Sequence, residues 1–394
     1  MLKNWKSIIC VISIMTMMGA LLTGCGAGEQ TNEGTKKIAI ICDSAGQNDN
    51  GYNQSAVEGA KKVQEEFGFE TKIVEPTNGV PAALESLAEA GYDIVFNLEY
   101  DFDALIKGVG GAKPIAETYP DTTFVCFNDN PNVNEDGTPI HDNVISVLFD
   151  VHEGSFLAGA LSVQVLENAE ILFESDNYSF TPVDQGGRAI GFIGGTNSNG
   201  ITVFSYGFIE GINHAAKNAG TTYNYYSKYD AGFSDPALGS TVAGTYYNQG
   251  ANIVYAVAGN VGDGATSKAK EVGKLAIQVD ADKDAQQPGF VLTSVLKNTE
   301  VPVYELSKAL KEGKIAEQES LLTFSLSTGA TGITDLSEIE KTIADTEEAK
   351  AKWTEIKAYI EEVEGEIGNG TIKVTNAAIG EEFDQSACEN VVIK

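Results

Sequence analysis

Acidic side chains recur at the ends of apolar runs in this chain. Asp43, Asp129 and Asp280 each come within two residues of the end of such a run. A carboxylate accepts strong hydrogen bonds from neighbouring hydroxyl groups, and an aromatic ring such as Phe204 offers a face for stacking on a flat group. This set of side chains suits the binding of a neutral, polyhydroxylated ligand that has a flat apolar part.

Each of these residues also has a structural interpretation. An Asp after a strand often caps the helix that follows, the glycines around Gly262 suit turn geometry, and Phe204 fits a helical core position. The coincidence of polar strand ends in both halves of the chain favours a binding site.

The apolar runs must belong to strands that bring these residues together. They alternate with amphipathic stretches of helical length and cover residues 38–42, 71–74, 93–96, 123–127, 143–149, 189–193, 222–226, 252–257 and 275–279. Strands separated by helices indicate parallel sheets. Two successive series predict an α/β protein with two doubly wound lobes, whose ligands bind at the carboxyl ends of the strands.

Three further segments carry structural predictions. Residues 169–187 interrupt the alternation and predict an inserted hairpin or loop. Residues 343–368 have the pattern of a charged helix, and 370–374 predict a final short strand.

The chain is strongly acidic, with a formal net charge of −30. Such a charge repels phosphates at long range, which argues against nucleic acid as a partner. It also disfavours a highly anionic ligand, since no cluster of Lys and Arg offsets it.

The N-terminus has the order of a secretory signal, with two lysines, an apolar run and then small residues. The sequence Leu22-Thr23-Gly24-Cys25 resembles the lipobox of bacterial lipoproteins, in which the cysteine is diacylated. Two acyl chains anchor a protein stably to a membrane. We therefore expect a signal peptide over 1–24, a lipid-anchored Cys25 on the extracytoplasmic face of the cell membrane, and a tether over 25–36.

The remaining cysteines and histidines do not form a metal or catalytic motif. Cys42, Cys126 and Cys388 have no metal-ligand spacing, and the three histidines include no paired motif. No nucleophile with a matching base can be named. The sequence thus predicts no metal, no cofactor and no enzymatic activity.

Several motifs, in order, resemble the basic-membrane-protein family, the purine-nucleoside-binding lipoproteins of ABC importers. The most specific is Glu153-Gly154-Ser155-Phe156-Leu157-Ala158-Gly159, which matches the family's EGSFLAG signature. Others are Gly191-Phe192-Ile193-Gly194-Gly195, Asp235-Pro236, Val279-Asp280-Ala281-Asp282 and Val291-Leu292-Thr293-Ser294-Val295-Leu296-Lys297. The resemblance spans about residues 37–335.

The resemblance implies a type I periplasmic-binding-protein-like fold with a three-segment hinge. The N-terminal lobe would comprise 37–149 and 298–323, and the C-terminal lobe 150–297 and 324–394. The crossings would lie near 149–151, 297–299 and 322–325.

Residue by residue, the resemblance also implies a nucleobase site. Asn48, Asp49 and Asp129 would contact the edge of the base. Phe204 and Tyr52 would form the aromatic clamp around it.

For the rest of the ligand, the resemblance implies a backbone contact at Gly262. Asp280 and Lys297 would grip the ribose hydroxyls. Binding would occur without chemistry, in a monomer that delivers the ligand to an ABC permease.

Other functions remain open at this point. The same fold binds sugars or signal molecules, in which case the stacking ring would matter less. A surface adhesin or antigen would ignore small molecules altogether. A nucleoside hydrolase would release free base, although no catalytic group supports it.

Overall fold

The computed structural model describes residues 34–174 and 176–394. The strands follow the apolar runs because continuous apolar segments bury both faces of a parallel sheet. In chain order they are β1 (Lys37–Ile41), β2 (Glu70–Val74), β3 (Ile94–Asn97), β4 (Thr123–Phe127), β5 (Val144–Phe149), β6 (Ala189–Gly194), β7 (Tyr223–Lys228), β8 (Ile253–Val257), β9 (Leu275–Asp280), β10 (Val291–Lys297), β11 (Leu321–Phe324), β12 (Thr331–Ile333) and β13 (Val391–Ile393).

Helices connect most of these strands and cover both faces of each sheet. They are α1 (Tyr52–Phe67), α2 (Val80–Glu89), α3 (Asp103–Ile106), α4 (Ile115–Thr118), α5 (Val151–Glu167), α6 (Ala169–Leu172), α7 (Asn199–Ala219), α8 (Pro236–Asn248), α9 (Asn260–Val272), α10 (Glu300–Lys311), α11 (Ser337–Glu340) and α12 (Glu347–Gly368).

The strands form two sheets, one in each lobe. Among the described residues, the first sheet has the order β11-β5-β4-β3-β1-β2, with every pair parallel. The second has the order β12-β10-β9-β8-β6-β7-β13, in which only β12 pairs antiparallel. The predicted α/β fold with two doubly wound lobes is confirmed.

The described chain passes between the lobes at three places. Asp150 links β5 to α5, and residues 298–299 link β10 to α10, which packs on α1 of the first lobe. Residues 325–330 form the third link, between β11 and β12. This last crossing begins where the predicted one ends, because residues Leu321–Phe324 complete a strand of the first sheet.

The segment with the EGSFLAG signature forms α5, which lies against α7 at close range. A Cβ atom added at Gly211 of α7 would meet the Phe156 carbonyl oxygen at 2.0 Å, and one at Gly207 would meet that of His152 at 2.3 Å. Gly154 faces β12 in the same way, since a Cβ added there would lie 2.5 Å from the Gly332 carbonyl oxygen. The small residues therefore allow contact with a helix as well as with the sheet, and this contact positions α7.

One prediction about local structure is wrong. Residues 370–374 form no strand, and the final strand is instead β13, which pairs with β7. Of the two alternatives for residues 169–187, the described part forms a loop, together with α6 and a short 3-10 helix (Val183–Gln185), and not a hairpin. Its Tyr178 ring stacks on Phe180 at 5.4 Å between centroids, so aromatic packing rather than strand pairing fixes it.

Candidate functional site

A cavity of about 620 Å³ lies between the lobes, at the carboxyl ends of their strands. Its volume falls within the usual range for small-molecule sites, roughly 300–1,000 Å³. Of the residues that the sequence predicts for the site, six line this cavity: Asp49, Tyr52, Asp129, Phe204, Asp280 and Lys297. The topology therefore brings together residues that are up to about 250 positions apart in the chain.

Two predicted residues do not line the cavity. Asn48 faces the other side of its turn, where it borders a separate depression of about 270 Å³ beside α1 and β2. Gly262 is buried in the first turn of α9, where an added Cβ would meet the Gln278 side-chain oxygen at 3.1 Å. Gly259 and Asn260 line this edge of the cavity instead.

Asp49 borders the cavity but uses its carboxylate to cap α1. Its Oδ1 accepts hydrogen bonds from the backbone N–H groups of Gly51 and Gln54, both at 3.0 Å. Its Oδ2 accepts from the backbone and the side chain of Asn53, again at 3.0 Å. A carboxylate has about four acceptor positions, so Asp49 has little capacity left for a ligand.

Asp43 is the better placed carboxylate of this loop; the sequence left it open between a ligand contact at a strand end and a helix cap. Its Oδ1 accepts hydrogen bonds from the Ala45 N–H at 2.9 Å and the Asn53 side chain at 2.6 Å. Among the described residues, its Oδ2 has no hydrogen-bond donor within the protein. One anionic oxygen of Asp43 is thus available at the cavity wall.

The ammonium group of Lys297 lies among three aromatic rings. Its Nζ is 5.2 Å from the centroid of Tyr52, 5.4 Å from that of Phe149 and 5.9 Å from that of Phe204. No described carboxylate lies within ion-pair distance of it. Burial lowers the pKa of Lys297 to about 8, although Asp280 and Asp43 act in the opposite direction. Among the described residues, this desolvated donor has no hydrogen-bond acceptor.

Asp280 complements this donor from the end of β9. Burial raises its pKa, while the positive charges of Lys283 and Lys297 oppose that rise. Its backbone has a φ of 75°, in the left-handed region that non-glycine residues rarely adopt. Its carboxylate faces Gly51 of the first lobe, where an added Cβ would lie 3.5 Å from Oδ2. Strained backbone of this kind is often found at functional sites.

Asn128 occupies the corresponding position after β4 and shares the left-handed backbone, with a φ of 65°. Its side-chain nitrogen donates hydrogen bonds to the hydroxyl of Tyr52 at 2.7 Å and to that of Tyr100 at 3.0 Å. The Tyr52 hydroxyl itself donates to the Leu98 carbonyl at 3.2 Å. These contacts fix the Tyr52 ring in one orientation at the cavity.

Two aromatic residues at the cavity were missed from the sequence, Tyr100 and Phe233. Both are large and exposed: 58% of the surface of Tyr100 and 44% of that of Phe233 is accessible to solvent. The Phe233 ring covers Gly195, where an added Cβ would meet ring carbon Cε1 at 2.2 Å. Tyr100 follows β3 by three residues, so the rule of polar and aromatic strand ends, applied to every strand, would have found it.

The residues that line the cavity carry more negative than positive charge. The acidic residues are Asp43, Asp49, Glu99, Asp129 and Asp280. The basic residues are Lys283 and Lys297. Such a cavity favours a neutral ligand rich in hydroxyl and amine donors. Among the described residues, no group of three or more His, Cys, Asp and Glu side chains is arranged to hold a metal ion.

Comparison with models of known protein families identifies the family to which the chain belongs. The Bmp family, described as ABC transporter substrate-binding protein PnrA-like, matches residues 36–366. The chain belongs to this family. The resemblance noted in the sequence is confirmed, and this member of the Bmp family is thus grouped with the substrate-binding proteins of ABC transporters.

Curated relatives of this Bmp-family protein cover most of its length. Basic membrane protein A of Borreliella afzelii is 28% identical over 78% of this chain and 85% of its own. The protein named ABC transporter nucleoside-binding protein BmpA, from Lactococcus lactis subsp. cremoris, is 27% identical over 82% of this chain and 90% of its own.

Solved structures agree on the fold. An ABC transporter solute-binding protein from Aeropyrum pernix K1 superposes with a TM-score of 0.69 at 21% identity, covering 90% of this chain and 95% of its own. One from Conexibacter woesei has a TM-score of 0.60 at 17% identity, over 87% of this chain and 99% of its own.

The membrane attachment expected of this Bmp-family protein falls on residues that the structure does not describe. Cys25 and the signal segment 1–24 lie outside the described residues. In the described part of the chain, no helix combines the length and apolar character needed to cross a membrane.

Proposed function

We propose that this chain is the lipid-anchored substrate-binding protein of an ABC importer and that it captures a purine nucleoside between its lobes. The observation that supports this most is the pairing of unsatisfied groups at the cavity. Asp280 offers an acceptor and Lys297 a donor, and the Tyr52 and Phe204 rings lie beside them.

Each part of a nucleoside has a complementary group in this arrangement. The ribose hydroxyls donate to the Asp280 carboxylate and accept from the Lys297 ammonium, as charge-assisted hydrogen bonds. The base enters beside the rings of Tyr52 and Phe204 and stacks on them. The free oxygens of Asp43 and Asp129 accept hydrogen bonds from the N–H groups on its edge.

Binding couples to closure of the lobes because the ligand contacts both of them. A ligand shifts a conformational equilibrium only through its different affinities for the two states. Contacts from Asp43 and Tyr52 on one lobe and from Asp280 on the other exist together only in the closed form, which then docks on the permease. Neither ligand binding, nor closure of the lobes, nor docking on the permease makes or breaks a covalent bond.

The charge of the cavity selects nucleosides over nucleotides. A phosphate group would enter a site with five carboxylates and two lysines, and it would be repelled by the surplus of acids. We expect adenosine to bind more tightly than adenosine monophosphate. Tighter binding of the monophosphate would contradict this assignment.

A thermal-shift screen tests the proposal. Residues 26–394, refolded to remove carried-over ligand, are heated with nucleosides, nucleobases, nucleotides or simple sugars. A ligand at about 100 times its dissociation constant stabilises the fold by about 2.7 kcal/mol. A shift with purine nucleosides alone, with the nucleoside recovered intact by chromatography, supports the proposal. A shift only with sugars would indicate a sugar as the ligand instead of a nucleoside. No shift with any compound would favour an adhesin.

A further inference from the structure

The chain beyond α12 returns to the cavity. This C-terminal segment, residues 369–394, lies outside the range 36–366 that matches the Bmp family. Nevertheless Ala378, in the middle of it, is one of the residues that line the cavity. A part of the ligand site thus comes from a region of the chain that the family match does not include.

Contacts along α7 hold the C-terminal segment in place. The backbone N–H and the hydroxyl of Thr375 donate to the Glu210 carboxylate at 2.9 and 2.6 Å. Further along, the Phe383 ring stacks on Tyr206 with 4.4 Å between centroids. Because α7 also carries Phe204, the segment and the stacking ring share one rigid support.

A second set of contacts ties the segment to the first crossing between the lobes. The side-chain nitrogen of Asn376 donates to Asp150 Oδ1 at 3.0 Å. The side-chain oxygen of the same residue accepts from the Ala378 N–H at 3.1 Å. Ala377 between them is buried, with 3% of its surface exposed. The position of Ala378 is therefore fixed relative to the hinge.

We infer that Ala378, held on the anchored backbone of residues 375–381, forms the hinge-side wall of the ligand cleft and that its small side chain sets the size of the ligand that fits there. This inference rests on the proposed function, which it extends by a specificity-determining residue. A methyl side chain leaves room at this wall for a substituent of the nucleoside. A larger side chain on the same anchored backbone would occupy that room, because the segment cannot move away without losing its contacts to Glu210 and Asp150.

The experiment compares Ala378→Trp with Ile379→Trp. Ile379 is the neighbouring residue, but 58% of its surface is exposed and it does not line the cavity. Affinities for adenosine, guanosine and inosine are measured by isothermal titration calorimetry. We expect Ala378→Trp to weaken binding by at least about tenfold, the scale of an overpacking cost, and Ile379→Trp to bind like the wild type.

Thermal unfolding of the ligand-free variants separates a blocked cleft from a damaged fold. If Ala378→Trp does not fold, Ala378→Leu takes its place, with a smaller expected loss of affinity. A folded Ala378 variant that binds all three nucleosides as tightly as the wild type would overturn the inference and leave the proposed function intact. If the wild type itself binds no nucleoside, the proposed function fails and the inference falls with it.

Discussion

The Nζ atom of Lys297 lies 5.2 Å from the centroid of the Tyr52 ring, although the two residues belong to different lobes. Lys297 ends β10 of the second sheet, and Tyr52 begins α1 above the first. The ammonium thus contacts an aromatic face that a purine base would also use. Under the proposed function, a bound base would take over this ring face and the ammonium would turn to the ribose.

Replacing Lys297 by Met tests this arrangement. The variant loses a charged donor to the ligand, and such hydrogen bonds contribute about 1.5–3 kcal/mol. We expect nucleoside affinity to fall by roughly 10- to 100-fold in calorimetry. The ligand-free protein should unfold at the same or a higher temperature, since a buried charge is removed.

The control for this variant is Lys113→Met, a lysine whose side chain is 74% exposed and ion-paired with Glu117. It should leave both affinity and stability nearly unchanged. An unchanged affinity of the Lys297→Met variant would show that the lysine does not bind the ligand.

The pKa of Lys297, about 8, predicts that binding depends on pH. The ammonium form, which predominates below that value, is the donor to the ligand. Affinity for adenosine should therefore fall above about pH 8, by up to about tenfold per pH unit. Titrations of the wild type over this range measure the slope.

Lys297→Arg is the matched control for the pH dependence, since a guanidinium stays charged throughout. The absolute affinity of Lys297→Arg is not compared with that of the wild type, because a guanidinium group differs in shape from an ammonium group. The decline above pH 8 should disappear in this variant, and parallel profiles for the two proteins would refute the role of the ammonium.

Asp43 and Asp49 should respond differently to mutation, although both border the cavity. Asp43→Asn keeps an acceptor oxygen for Ala45 and Asn53 but loses the free anionic oxygen, so we expect weaker binding and unchanged stability. Asp49→Ala removes the cap of α1 and should cost about 0.5–2 kcal/mol of stability. Denaturant unfolding and calorimetry on both variants distinguish the roles, and equal effects on affinity would contradict them.

Gly195 should be required for the position of Phe233. In Gly195→Ala the new methyl would overlap the Phe233 ring, which must leave the mouth of the cleft. We expect weaker nucleoside binding and a lower melting temperature. Gly365→Ala in α12 is the control, because nothing lies within 4 Å of its added Cβ and it does not line the cavity. Inside a helix this substitution should keep or raise the melting temperature, and nucleoside binding should not change.

Most of the fold could be predicted from the sequence because its central strands are continuous apolar runs. The run 38–42 differs from β1 by one residue at each end. The short edge strands gave no such signal. In β13 one residue is buried and the other two are partly or fully exposed, and 372–374 shows a similar alternation without pairing to any described strand.

The location of the site could also be predicted, but the direction of single side chains could not. Asp280 ends β9 and Asp129 follows β4 by two residues, so both lie at the carboxyl ends of strands and border the cavity. Asn48 and Asp49 are adjacent in a turn, where one residue points into the cavity and the other away from it. The contribution of Ala378 depends on how the C-terminal segment returns along α7, which no local pattern encodes.

The last strand has a consequence for the behaviour of the protein in solution. β13 pairs with β7, whose sequence YNYYSK is rich in tyrosine. A chain that ended after α12 would leave the backbone groups along that edge of β7 without partners. Open edges of aromatic strands are templates for pairing with another molecule. The final residues therefore protect the protein from aggregation, so expression of the family-matching region alone is expected to yield material of low solubility.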